Sequence, residues 1–210
     1  LAPALGPAAM HGGLAPGGLA TIFGAGLASG AASATEFPLP RRLGGTEVRV
    51  NGAPVPLLFV SPGQINFQMP FEVGGPEAEI RVTGPGGVGE TARVAIAATQ
   101  PGLFVDAGSG VPAALYATGG QPVWTRPARP GEFLMLFATG LGALDRRVES
   151  GEPNSTNQRT LAAVGVLFGE RRATPTFAGA APGFAGLNQV NVQVPADLPP
   201  GRYELSLEAD

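Results

Sequence analysis

Blocks of sequence recur in the same order along this chain, and that recurrence limits the fold more than any single motif does. APGGLATIFGAGL at 15–27 matches RPGEFLMLFATGL at 129–141, aligning Pro16, Gly17, Phe23, Gly26 and Leu27 with Pro130, Gly131, Phe137, Gly140 and Leu141. QINFQMP at 64–70 matches QVNVQVP at 189–195, and a shorter likeness joins PAAMH at 7–11 to PAALY at 112–116. The offset is 114 for the first pair and 125 for the second, so the later copy holds about eleven more residues between its blocks. The turn-rich run 145–160 is the expected place for them. Two like units are therefore expected, 1–98 and 99–210, meeting at Thr99-Gln100-Pro101-Gly102.

Inside the blocks the period is two. Ile65, Phe67 and Met69 alternate with Gln64, Asn66 and Gln68, and Val190, Val192 and Val194 alternate with Gln189, Asn191 and Gln193, which is the pattern of half-buried strands. Further strands are expected at 47–50, 55–60, 78–83, 92–97, 133–138, 164–168 and 203–207. The 33 Gly and 22 Pro cluster between these runs, as in Ser61-Pro62-Gly63 and Pro199-Pro200-Gly201, and read as turns. No stretch of twelve residues shows helical periodicity free of Gly or Pro. The fold class expected is all-β: two tandem antiparallel immunoglobulin-like β-sandwich domains with almost no helix.

Charge and counting exclude several functions. A net charge of -3 argues against a nucleic-acid partner, and the absence of Cys with a single His, His11, excludes disulfides and Cys/His zinc sites. All 13 basic residues are Arg, and charged residues make up 14% of the chain, against about 25% in ordinary soluble domains. No charge occurs before Glu36. The uncharged run 17–35 is long enough for a membrane helix, but its Gly and Ala content argues against a span. The chain starts at Leu1 without a basic, then apolar leader, and reads as a mature or trimmed product.

No catalytic constellation emerges. His11 stands alone, Ser109 lacks the spacing of a nucleophile elbow, and the pairs Glu77/Glu79 and Glu149/Glu152 read as solvated charge. GPGGVGE from Gly84 is spaced loosely like a dinucleotide loop but reads as a hairpin, with no helix following. Asp106 and Asp145 lack calcium-loop spacing. No enzyme activity, cofactor or metal is expected. A carbohydrate site is the binding alternative: Tyr116 and Trp124 flank Gly119-Gly120 and could share a hairpin face, while Phe23, Phe59, Phe67 and Phe137 are expected inward. The amide rows Gln64, Asn66, Gln68 and Gln189, Asn191, Gln193 offer uncharged polar faces, for a partner or for their own sheet.

LAPGGLATIFGAGL, LGGTEVRVNGAPVPLLFVSPGQINFQMP, QPGLF, RPGEFLMLFATGLG and APGFAGLNQVNVQVP together resemble the C-terminal domain family of many secreted, otherwise dissimilar proteins of Acidobacteria, first noted in Solibacter. The resemblance runs from about Ala8 to Leu207, and both halves also look like the transcription-factor-type immunoglobulin fold. It implies an extracellular accessory or structural module with no catalytic residues. Family members usually end a larger protein, whereas these 210 residues cover the module alone, which leaves open whether a partner domain was trimmed or the protein is free-standing.

The function expected is a non-catalytic, extracellular or cell-surface structural protein that binds copies of itself, or other surface proteins, through strand edges. Without Lys, its edges lack the usual guard. The uncharged start, with Leu1, Leu5 and Met10, is the expected donated strand, and the two amide rows are the expected lateral contacts. The alternative is an adhesive or polysaccharide-binding accessory module of a larger secreted protein.

Overall fold

Each repeated pair of blocks turns out to be a pair of neighbouring strands. In the computed structural model, which describes residues 13–155 and 158–210, the first block forms β1 (Leu19–Phe23) and pairs antiparallel with β6 (Gln64–Gln68), Leu19 opposite Gln68 and Phe23 opposite Gln64. In the second copy β11 (Phe133–Thr139) pairs with β15 (Asn188–Gln193), Phe133 opposite Gln193 and Phe137 opposite Gln189. These are the same positions in both copies. A one-residue slip would turn the apolar set outward, so the alternation that buries Ile65, Phe67, Val190 and Val192 also sets the register.

The remaining strands complete four antiparallel sheets. In the first half they are β2 (Ala32–Ser33), β3 (Glu47–Val50), β4 (Ala53–Pro54), β5 (Leu57–Val60), β7 (Glu77–Gly84) and β8 (Gly87–Ala95). Their orders are β1-β6-β5-β2 and β4-β3-β7-β8. The second half adds β9 (Gly102–Leu103), β10 (Ala114–Tyr116), β12 (Val164–Phe168), β13 (Arg171–Ala173), β14 (Phe177–Ala180) and β16 (Leu205–Ala209). Here the orders are β10-β11-β15-β14, with β9 also on β11, and β13-β12-β16. Among the described residues the only helix is one 3-10 turn, Val123–Thr125.

Between the sheets lie two cores. Val48, Val50, Leu57, Ile65 and Phe67 belong to the first, and Leu134, Leu136, Val166, Val190 and Val192 to the second. Strand pairing passes from one half to the other between Ala95 and Gly102. The Asn51-Gly52 turn joins β3 to β4 with φ of 48° and 82°, a two-residue hairpin that Asn and Gly accept most readily. Its counterpart is Gly169-Glu170 between β12 and β13, which aligns Phe168 with Val50 at an offset of 118. About four of the extra residues therefore precede β12 and about seven follow it, rather than all falling in 145–160. GPGGVGE lies in the β7–β8 hairpin, where Gly84 pairs with Gly87.

Polar contacts join the halves. Leu19 N donates to Thr139 Oγ1 at 2.7 Å, and Thr139 Oγ1 donates onward to Gly186 O at 3.1 Å. Ser150 Oγ accepts from Phe71 N at 3.0 Å and donates to Glu72 Oε2 at 3.1 Å, while Leu39 N reaches Gly151 O at 2.8 Å.

Candidate functional site

Leu1, Leu5, Met10 and His11 lie outside the described residues. The amide rows do not, and their polar atoms bond within the chain in matching ways. Gln64 Nε2 donates to Asn66 Oδ1, and Gln189 Nε2 to Asn191 Oδ1, both at 2.8 Å. Gln68 Nε2 reaches Gly17 O at 3.3 Å and Gln193 Nε2 reaches Gly131 O at 2.9 Å, the aligned glycine in each copy. The copies part at one point. Gln193 is exposed, but Gln68 is 0% exposed and its Oε1 also accepts from Gly151 N at 2.7 Å, so the second half covers this end of the amide face.

Tyr116 and Trp124 do not form a shared exposed platform. Tyr116 is 3% exposed, its hydroxyl donates to Arg126 O at 2.6 Å, and the Arg126 guanidinium stacks 3.9 Å from its ring centre. Burial raises the Tyr116 phenol above its ordinary value. Arg126 also grips Glu132 with two bonds of 2.8 Å, and Arg129 N adds a third at 2.8 Å, which pulls the Glu132 carboxyl down to about 2. Trp124 sits on the 3-10 turn at 57% exposure. Phe23 corrects a further expectation: standing opposite Gln64, it shares the amide face and is 61% exposed.

The other polar candidates are engaged locally. Asp106 Oδ1 accepts from the Ser109 hydroxyl at 2.8 Å and from Ser109 N at 2.9 Å, bonds that lower its pKa and close the Gly108-Ser109-Gly110 turn. Asp145 Oδ1 accepts from Arg159 N at 3.1 Å, Glu79 pairs with Arg81, and Glu149 with Arg147. Among the described residues, no three of His, Asp or Glu come together as metal ligands, and no helix is long and apolar enough to cross a membrane.

What the site offers is open backbone. β7 is covered on its outer side by β8, but its counterpart β16 carries no described strand there. Ala163 and Asp210 exchange both backbone bonds, at 3.1 and 3.2 Å, and Gly169 N reaches Glu204 O at 2.8 Å. By strand alternation Leu205, Leu207 and Ala209 turn their N–H and C=O groups away from β12. Ala209 O takes Thr99 Oγ1 at 2.8 Å, which leaves Leu205 and Leu207 as the stretch with no partner strand among the described residues. Both leucines pack on the second core while staying only part-buried. β1 shows the same condition on its outer side, where β11 carries β10.

Comparison with protein-family models, with curated proteins and with solved structures gives no match for this chain. Sequence reasoning missed the β16 edge because an edge is defined by a neighbour that is lacking; setting 203–207 against 78–83 followed by 92–97 was the available signal.

Proposed function

We propose that this protein is a non-catalytic structural module of the cell exterior, built of two immunoglobulin-like units, that associates with its own copies or other surface proteins by strand addition. The carrying observation is the outer edge of β16, where two part-buried leucines and their outward backbone groups meet no partner strand among the described residues, in a place that β8 occupies in the other half. An incoming strand gains main-chain hydrogen bonds and covers apolar surface at once. No Lys guards the edge, and a head-to-tail contact of this kind extends into a filament unless its rotation closes a ring.

Negative-stain electron microscopy of concentrated protein tests the reading. Elongated assemblies support it, while compact single particles at every concentration contradict it. The exposed indole of Trp124 favours a second reading, polysaccharide binding, now without Tyr116. Retardation of the protein in polysaccharide-containing native gels, lost in Trp124→Ala, would move that reading to first place.

A further inference from the structure

The end of the second half that lies away from the first holds a cleft. Thr139 and Gly186 meet the first half at Leu19, at the opposite ends of β11 and β15 from Phe133 and Gln193. Beyond Gln193 the chain turns through Asp197 and Pro199 into β16. Between that turn and the β12–β13 hairpin a cleft of about 410 Å³ opens. Phe168, which is 4% exposed, and the part-buried Leu198 form its apolar floor. Tyr203 stands at its side, and Arg171 and Asp197 pair at its rim.

The two copies differ here more than their strands do. By the offset of 125 that joins the amide rows, Tyr203 holds the place of Ala78 and Asp197 that of Glu72. By the offset of 118 that aligns the hairpins, Arg171 holds the place of Ala53. Ala78 is 2% exposed and Glu72 accepts from the Ser150 hydroxyl, so the first copy commits these positions to its core and to the junction. In the second copy Tyr203, Arg171 and Asp197 all face solvent. The Tyr203 ring is nonetheless fixed. Its hydroxyl donates to Pro199 O at 2.8 Å, and it lies against Gly169 and Gly201, where an added Cβ would stand 3.5 and 3.3 Å from ring carbons. A ring held in this way gives up little freedom when a ligand arrives.

We propose that this cleft binds a neutral sugar unit of a glycan, with the sugar's C–H face on the Tyr203 ring and its hydroxyls on Arg171 and Asp197. Charge selects the class. Arg171 and Asp197 answer each other, so a phosphate or an ammonium group finds no free partner in the pair. Glu170 on the same rim adds a negative charge, which turns away sulfated and uronic sugars, while one exposed carboxylate holds a cation only weakly in water. A guanidinium has several N–H donors and a carboxylate several lone-pair sites, so the pair keeps bonding capacity for hydroxyls after meeting each other. The Tyr203 hydroxyl is engaged, which leaves the ring face as its contact surface. A cleft of this volume, apolar at its base with a few placed polar groups, has the build of a small-molecule site. The site goes beyond the association reading; it shares a ligand class with the Trp124 reading but none of its residues, since Trp124 does not line the cleft.

Two-dimensional NMR of the intact chain, titrated in turn with cellohexaose, laminarihexaose and mannohexaose, tests the site. At least one of these neutral probes is expected to give saturable shifts at millimolar concentration, centred on the amides of Arg171, Gly201 and Tyr203. Tyr203→Ala is expected to weaken this binding by about 10-fold or more, while Tyr203→Phe, which keeps the ring, stays within about threefold of the parent. Arg171→Ala changes an exposed side chain outside the core and should weaken binding as well, whereas Trp124→Ala should leave it unchanged. Absence of saturable shifts with all three probes overturns the proposal. Binding that survives Tyr203→Ala undiminished overturns it too, as does binding lost in Trp124→Ala, which would move the sugar to Trp124. Tighter binding of hexagalacturonate than of every neutral probe would contradict the neutral class.

Discussion

Gln68 and Gln193 occupy one position in the repeat and make one contact in common, yet their surroundings differ. Removing the Gln68 amide leaves a buried Gly151 N–H and Gly17 C=O without their partner, while Gln193 faces solvent. Urea titration of Gln68→Ala should show a loss of about 1–3 kcal/mol, and of Gln193→Ala no more than about 0.5 kcal/mol. Equal losses would mean that the second half does not seal Gln68. Glu132 gives a prediction in pH. Its folded pKa, about 2, lies below its ordinary 4.5, so its contribution to stability is fully present above 4.5 and is lost as pH falls toward 2. Thermal melts of Glu132→Gln should lack this part of the acid destabilisation, and curves for the two proteins that stay parallel from pH 5 to 2 would contradict it.

At the scale of elements, edges decide the behaviour. Ser206 lies on the exposed face of β16, so Ser206→Lys adds a charge to the edge without touching the ladder to β12 or the core. Such a guard is expected to suppress association while leaving the melting temperature within a few degrees of the parent. Undiminished association, seen by light scattering, would place the contact elsewhere. The long strands were legible in the sequence because period-two alternation over five residues marks both a strand and its buried face, as in 64–68 and 189–193. The two-residue strands β2, β4 and β9 were not, since so short a run has no period. β8 begins at Gly87, five residues before the expected start, because the β7–β8 hairpin pairs down to its turn. The repeated block reads Phe23 as inward, but pairing with Gln64 determines its face. The burial of Gln68 depends on a loop 83 residues away, which no local pattern encodes.

Across the whole molecule, contacts between the halves are built from glycine backbone as much as from side chains. Gly186, at φ +71°, lies where an added Cβ would meet Leu19 Cδ2 at 2.6 Å and Gly17 O at 3.1 Å. Gly186→Ala is expected to destabilise the protein by about 1–3 kcal/mol through this clash and the left-handed backbone. Calorimetry of the parent should show one cooperative transition, because Gln68, Thr139 and Ser150 tie the halves together, and Gly186→Ala should lower or split it. Two separate transitions in the parent would show that the halves unfold independently. The central claim is that the chain associates through the outer edge of β16, which carries no strand among the described residues, and sedimentation velocity over a wide range of protein concentration tests this most directly. The account predicts a sedimentation coefficient that rises with concentration in the parent and stays at the monomer value in Ser206→Lys; monomer values for both proteins at every concentration would contradict it.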